Sequence, residues 1–149
     1  MASNGDLTCT MDPNDVRKLN EKLNQLGGIV KEGIVQRGLR EAANVVLKET
    51  KSSIERHGFV KTGNLLGSAA IKTRKKDGKV YIGFKRPAGA AAHLLDKGTA
   101  VRHTRTGANR GRIVASNFHT DAVRRKKDEA MQVLYKSIEA SLERIWTDN

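Results

Sequence analysis

The sequence is short of the residues that most site chemistries require. Its one cysteine, Cys9, can form no internal disulfide and brings no second thiol for a cysteine-rich zinc site. Two prolines and 4% aromatics leave the 38% apolar fraction largely aliphatic, so a core has to be built from Leu, Ile, Val and Ala. No run approaches the ~20 apolar residues of a membrane-spanning helix. The opening Met1-Ala2-Ser3-Asn4-Gly5-Asp6 has neither the basic start nor the apolar stretch of a secretory signal. No membrane association or export is expected. Acidic residues are also few, 16 against 28 Lys and Arg, a formal charge of +12 over 149 residues.

That excess is local. Residues 1–57 carry 9 basic and 8 acidic side chains, residues 58–127 carry 17 and 3, and residues 128–149 carry 2 and 5. The net charges are +1, +14 and −3. A basic tail would be a solvated arm, but a basic middle has to belong to the folded body or be looped out from it.

Residues 1–11 lack periodicity and read as a disordered leader ahead of a single domain over 12–149. Asp12-Pro13 is a helix start, the carboxylate accepting free first-turn amides and the proline having none to leave unpaired. Apolar residues then recur every three or four positions from Val16 through Leu23, Ile34 and Val46 to Ile54, one stripe on a long helix. Gly27-Gly28 should bend or break it, since each interior glycine costs about 1 kcal/mol relative to alanine; residues 12–33 could then stand as a separate helical arm. His57-Gly58 is the stop. Period-two alternation over 68–86, interrupted by Lys76-Asp77-Gly78, predicts a hairpin. Residues 91–97 suit a short helix by propensity or a third strand by context, and the strand is preferred. Residues 100–115 read as a mobile, exposed basic loop. Residues 119–146 form a second amphipathic helix, capped by Ser116 or Asn117. Its cationic opening, Arg124-Arg125-Lys126-Lys127, opposes the helix dipole and calls for a partner. The expected fold is α+β: a long N-terminal and a C-terminal helix on one face of a small antiparallel sheet, with a flexible basic loop.

Catalytic patterns are missing. His57, His93, His103 and His119 form no metal-ligand spacing, no nucleophile or phosphate-loop motif occurs, and three acids between 58 and 127 are too few for a two-metal nuclease centre. No enzyme, cofactor or metal is expected; a nuclease-type toxin would have to depend on His93 or His103. The stronger alternative is a small, sequence-independent DNA-binding protein that uses the clustered cations on phosphate. The aromatics near those cations, Tyr81, Phe84 and Phe118 among them, are too few for base stacking to carry recognition.

The order Thr62-Gly63-Asn64-Leu65 with Ser68, Val80-Tyr81-Ile82-Gly83, Ala92 to Leu95 followed by Asp96-Lys97-Gly98-Thr99, then Ala115-Ser116-Asn117-Phe118 resembles the tail-completion, or head–tail joining, proteins of long-tailed bacteriophages. The resemblance spans about residues 35–146. Three positions depart from that pattern: Phe59-Val60-Lys61 replaces a proline before Thr-Gly, Asp96 stands where Glu is usual, and Asn117 replaces the proline before Phe118.

The resemblance implies a third strand over 91–97. It also implies a structural virion protein that forms a ring, a hexamer before a dodecamer, between the head connector and the tail tube, made in the host cytoplasm and ending in the neck of the virion. No catalytic residues transfer. Thr62, Gly63, Leu65, Ser68, Asp96, Gly98, Thr99 and Phe118 are the motif positions. Arg102, Arg105, Arg110, Arg112, Arg124, Arg125, Lys126 and Lys127 are the expected surface for assembly or for DNA phosphate in the channel.

Overall fold

The protein, seen in a computed structural model that describes residues 13–148, runs α1 (Pro13–Asn24), α2 (Gly28–Arg56), α3 (Asn64–Ser68), β1 (Ala69–Arg74), β2 (Lys79–Phe84), α4 (Ala92–Lys97) and α5 (Phe118–Thr147). The class is α+β, two long helices with a two-stranded antiparallel sheet. The leader expected over 1–11 and the capping Asp12 lie outside the described residues.

The helix break falls at the glycine pair. The Gln25 and Leu26 amides turn back to the Lys22 and Leu23 carbonyls, and α2 restarts at Gly28. From there α2 continues through Gly33 and Gly38 to Arg56 and stops before Gly58, whose φ is +71°. Gly38 is there for space. A Cβ on it would lie 2.9 Å from Leu134 Cδ1 and 3.2 Å from the Leu134 carbonyl oxygen of α5. The helix tolerates the entropic cost of glycine because close approach to α5 requires it. Between β1 and β2 the chain turns through a short 3-10 segment, Lys75–Asp77, and Gly78 at φ +61°.

The strand preferred over 91–97 is instead helix α4, so among the described residues the sheet has two strands and not three. The Leu94 and Leu95 amides bond to the Ala91 carbonyl, and the Gly98 amide closes the turn on Leu94 at 2.8 Å. An Ala- and Leu-rich segment satisfies its own backbone this way, and its propensity prevails.

The described chain divides into two compact units. One comprises residues up to Val45, Lys72–Tyr81 and residues from Lys126; the other comprises Val46–Ile71 and Ile82–Arg125. The first has an aliphatic core: Leu23 of α1, Ile34 of α2, and Ile138 and Leu142 of α5, with Leu19, Leu26, Val35, Leu134 and Ile145 against them. Helix α1 is thus packed on its own chain. The second is centred on Phe118, fully buried with Ile54, Leu65 and Ala92. All three phenylalanines of the sequence meet here, Phe59 and Phe84 each edge-on to Phe118 with ring centres 5.7 and 5.8 Å apart. Scarce aromatics are concentrated where one side chain must bind several elements.

These packings give a direct stability test. Phe118→Ala should cost about 3–5 kcal/mol, and Gly38→Val about 1–3 kcal/mol by overpacking against Leu134. Chemical denaturation followed by circular dichroism measures both; a wild-type midpoint for either variant contradicts the packing described.

Candidate assembly surface

The motif residues meet around the start of α5. Asp96, at the end of α4, is buried, and its Oδ1 accepts from the His119 and Thr120 amides at 2.9 and 3.1 Å. Its Oδ2 accepts from the Thr120 hydroxyl at 2.8 Å. These are first-turn amides of α5, which otherwise lack partners. The carboxylate therefore caps α5 from another helix, where the sequence pointed to Ser116 or Asn117. Ser116 instead donates its hydroxyl to the Leu95 carbonyl at 2.7 Å. Asn117 has φ +53°, a left-handed conformation that asparagine tolerates. A proline, locked near φ −65°, could not take that conformation, which accounts for the departure at this position.

Burial pushes the Asp96 carboxyl up, but the Thr120 hydroxyl, the Thr120 and His119 amides and the nearby Lys97 outweigh it and hold the group below its ordinary 3.8. His119 is shifted down from 6.5, chiefly by burial and against the attraction of Asp96. The ring is held by Thr50, whose hydroxyl oxygen lies 3.2 Å from Nδ1, and sits edge-on to Phe84. Lys97 closes the cluster by donating to the Thr120 hydroxyl oxygen at 3.0 Å.

Immediately beyond Asp96 the chain leaves as a ribbon. Gly98 has φ +75°, and a Cβ there would come within 2.8 Å of both the Ala115 nitrogen and the Ile113 oxygen, so only glycine fits where the two arms cross. Thr99 pins the base twice, its amide donating to the Ile113 carbonyl and its hydroxyl accepting from the Ile113 amide. The arms then pair through Arg102 with Gly111, Arg110 with Arg102 and Thr104 with Ala108, and turn at Gly107. The exposed basic loop expected over 100–115 carries hydrogen bonds between its two arms, as a ribbon does. Its residues 99–115 contain four arginines and no acid.

The expected basic residues fall into two groups. Arg102, Arg105, Arg110 and Arg112 are all exposed on the ribbon, and none has an ion pair among the described residues. Arg110 and Arg102 are neighbours across it, like charges side by side, which disfavours the ribbon until an anion joins them. Val101 and Val114, both exposed, flank the arginines at the base. The 124–127 run is different. Arg124 pairs with Asp121, Arg125 with Glu49 and Lys126 with Glu129, so the chain itself answers most of the charge that seemed to need a partner.

The remaining motif residues are architectural. Gly63, at φ +68°, opens α3, and the Thr62 hydroxyl oxygen accepts the Asn64 amide. Leu65 is buried with Phe118, and the Ser68 hydroxyl donates back to the Leu65 carbonyl. Sequence reasoning missed Thr50, His119 and Thr120. They lie far along the chain from Asp96, and no local spacing connects them. His93 is exposed and shares no bond with Asp96. Among the described residues no group of three or more His, Cys, Asp or Glu could hold a metal ion, and no helix is long and apolar enough to cross a membrane.

The sequence profile of the bacteriophage HK97-gp10-like tail components matches residues 17–98, 82 of the 149. The chain belongs to that family. The HK97-gp10-like match runs from α1 through α4 and ends at Gly98, so the family's shared stretch includes Asp96 and stops where the arginine ribbon begins. No curated protein and no solved structure is significantly similar to the chain. As a phage tail component it is a structural protein of the virion.

Both titrating groups at the start of α5 make stability depend on pH. Each is shifted down in the folded state, so folding is favoured most when both are deprotonated, and stability is lost as pH falls. The His119 contribution fades below about 6.5, and that of Asp96 below about 3.8, the ordinary values from which each departs. Thermal melts should therefore fall in two stages between neutral and strongly acidic pH, with the first stage removed in His119→Gln. Asp96→Ala should cost about 2–3 kcal/mol through the missing cap and the unpaired amides, and Asp96→Asn, which keeps one acceptor, about half of that. A flat profile between pH 7 and 5 in the wild type would contradict the His119 environment described.

Proposed function

We propose that this tail component forms a ring at the junction of head and tail and joins the connector to the tail tube, with the arginine ribbon as its docking surface. The observation that carries this reading is the ribbon. Four arginines without acidic partners among the described residues stand on a base fixed by Gly98, Thr99 and Asp96. The chain holds rigid the root of a charged, exposed hairpin whose own charges are left unanswered, as a surface meant for another molecule requires. Family membership supports a place in the tail, and the open edges of a two-stranded sheet offer further pairing sites. Ring closure with a hexamer before a dodecamer, the connector and the tail tube as partners, and the neck as location belong to this proposal.

The same four arginines favour a second reading, sequence-blind binding of DNA phosphate. Native mass spectrometry of the chain alone and mixed with connector and tail-tube proteins should show a closed oligomer that binds at least one of them. Replacing Arg102, Arg105, Arg110 and Arg112 by Ala should abolish that binding without lowering the melting temperature. A monomer under all these conditions would sink the ring. If instead the ribbon tracks DNA, the wild type binds duplexes of any sequence. The quadruple variant then flattens the slope of log affinity against log salt by about 3.6, which is about 0.9 for each phosphate that an arginine no longer neutralises.

A further inference from the structure

The arginine ribbon carries a free backbone edge along each arm. The arms hold each other through the Thr99, Arg102 and Thr104 amides and the Ile113, Gly111 and Ala108 carbonyls. Between such bonded residues, the alternate ones turn their own amides and carbonyls away from the partner arm. These are Val101 and His103 on one arm and Arg112 and Val114 on the other. None of the four makes a backbone hydrogen bond among the described residues. The second edge also borders a hollow of about 350 Å3, lined among others by Lys97, Thr99, Arg112 and Val114 and by no acidic residue. Lys97 already leans on Asp96 and Thr120, but Arg112 has no ion pair among the described residues.

We infer that an extended acidic segment of a protein partner adds as a strand along Arg112–Val114, with one of its carboxylates meeting Arg112. The inference rests on the ribbon being the docking surface and names what docks there. The charge is of one sign: residues 99–115 hold four arginines and no acid, so the occupant is anionic. Two observations favour a peptide over DNA. Phosphates only accept hydrogen bonds, so they would leave the outward carbonyls of Arg112 and Val114 facing like charge. A peptide edge offers amides and carbonyls in alternation and answers both. Val114, 73% exposed, and Val101, 46% exposed, stand beside the arginines, and aliphatic surface gains by burial against a side chain, not against a phosphate. Arg112 and Val114 are two apart on one arm and share a face. The segment that fits therefore carries an acidic and an aliphatic residue two positions apart.

A peptide titration followed by amide NMR on the full chain tests it. The probe is a blocked Val-Thr-Glu-Thr-Val-Thr-Glu, which presents that spacing in either strand direction. The Arg112 and Val114 amides should shift and exchange at least about tenfold more slowly with solvent, and those of Val101 and His103 should not. Lysine in place of the two glutamates should weaken binding roughly tenfold or more, and N-methylation of alternate peptide amides should abolish the slowed exchange. Val114→Pro removes an edge amide and no charge; it should lose the peptide, while Val114→Ile keeps it. Unchanged Thr99, Arg102 and Thr104 amide resonances verify that the ribbon is intact in the proline variant; if they move, the N-methylated peptide on the wild type decides. A peptide that binds equally well when N-methylated, or equally well to an intact Val114→Pro ribbon, reduces the contact to charge and overturns the added strand. No shift at millimolar peptide, or a DNA duplex that shifts these amides where the peptide does not, also overturns it. In each case the docking role of the ribbon is judged separately, by the binding of the arginine variant to connector and tail-tube proteins.

Discussion

The carboxylate of Asp96 is the constraint on which the surrounding structure depends. One buried group accepts two amides and a hydroxyl from the first turn of α5, a helix that begins 22 positions later. Because the acceptor belongs to α4, the cap is also a tertiary tie. It fixes where α5 starts, and thereby the position of Phe118 among Phe59, Phe84, Ile54 and Leu65. The helix dipole and the orphan amides favour an anion there; burial opposes it, and the hydrogen bonds decide the balance.

The same tie sets the root of the ribbon. Chain leaving α4 at Gly98 and returning into α5 at Ala115 has its ends held together by Asp96, Thr99 and Ser116. With the ends closed, the loop-closure cost of the hairpin is already met, and the ribbon can hold arginines side by side that would otherwise push it apart. Asp96 and Gly98 of this root lie inside the family match, and Thr99, Ser116 and the four ribbon arginines lie beyond it. In the aliphatic unit the missing side chain at Gly38 lets α2 and α5 approach closely enough to bury Ile34 and Ile138, with Leu134 packed against them.

Much of this was legible in the sequence. Helical periodicity located α2 and α5, and the paired glycines located the break before Gly28. Alternation around Asp77-Gly78 located the hairpin. These signals are local: a period, a turn residue, a stop. The order of motifs led to a phage tail protein, and the family match agrees. Residues 91–97 went the other way. Context and resemblance favoured a strand, while Ala and Leu propensity, with no ladder to join, made helix α4. Local rules place the cap of α5 on Ser116 or Asn117, because capping is usually supplied by the adjacent residue; here it is supplied across the fold.

The sequence by itself determined the class of the fold, the extent of the long helices and the confinement of charge to the middle of the chain, because each depends on neighbours a few residues apart. Only the tertiary structure decided which charges are spare. Along the chain Arg125 looks as available as the ribbon arginines, but in the fold Glu49 of α2 lies beside it; Arg124 with Asp121 and Lys126 with Glu129 are pairs three apart on α5 itself. It also decided that Asp96 serves α5, since partners separated by more than twenty positions are joined by folding alone.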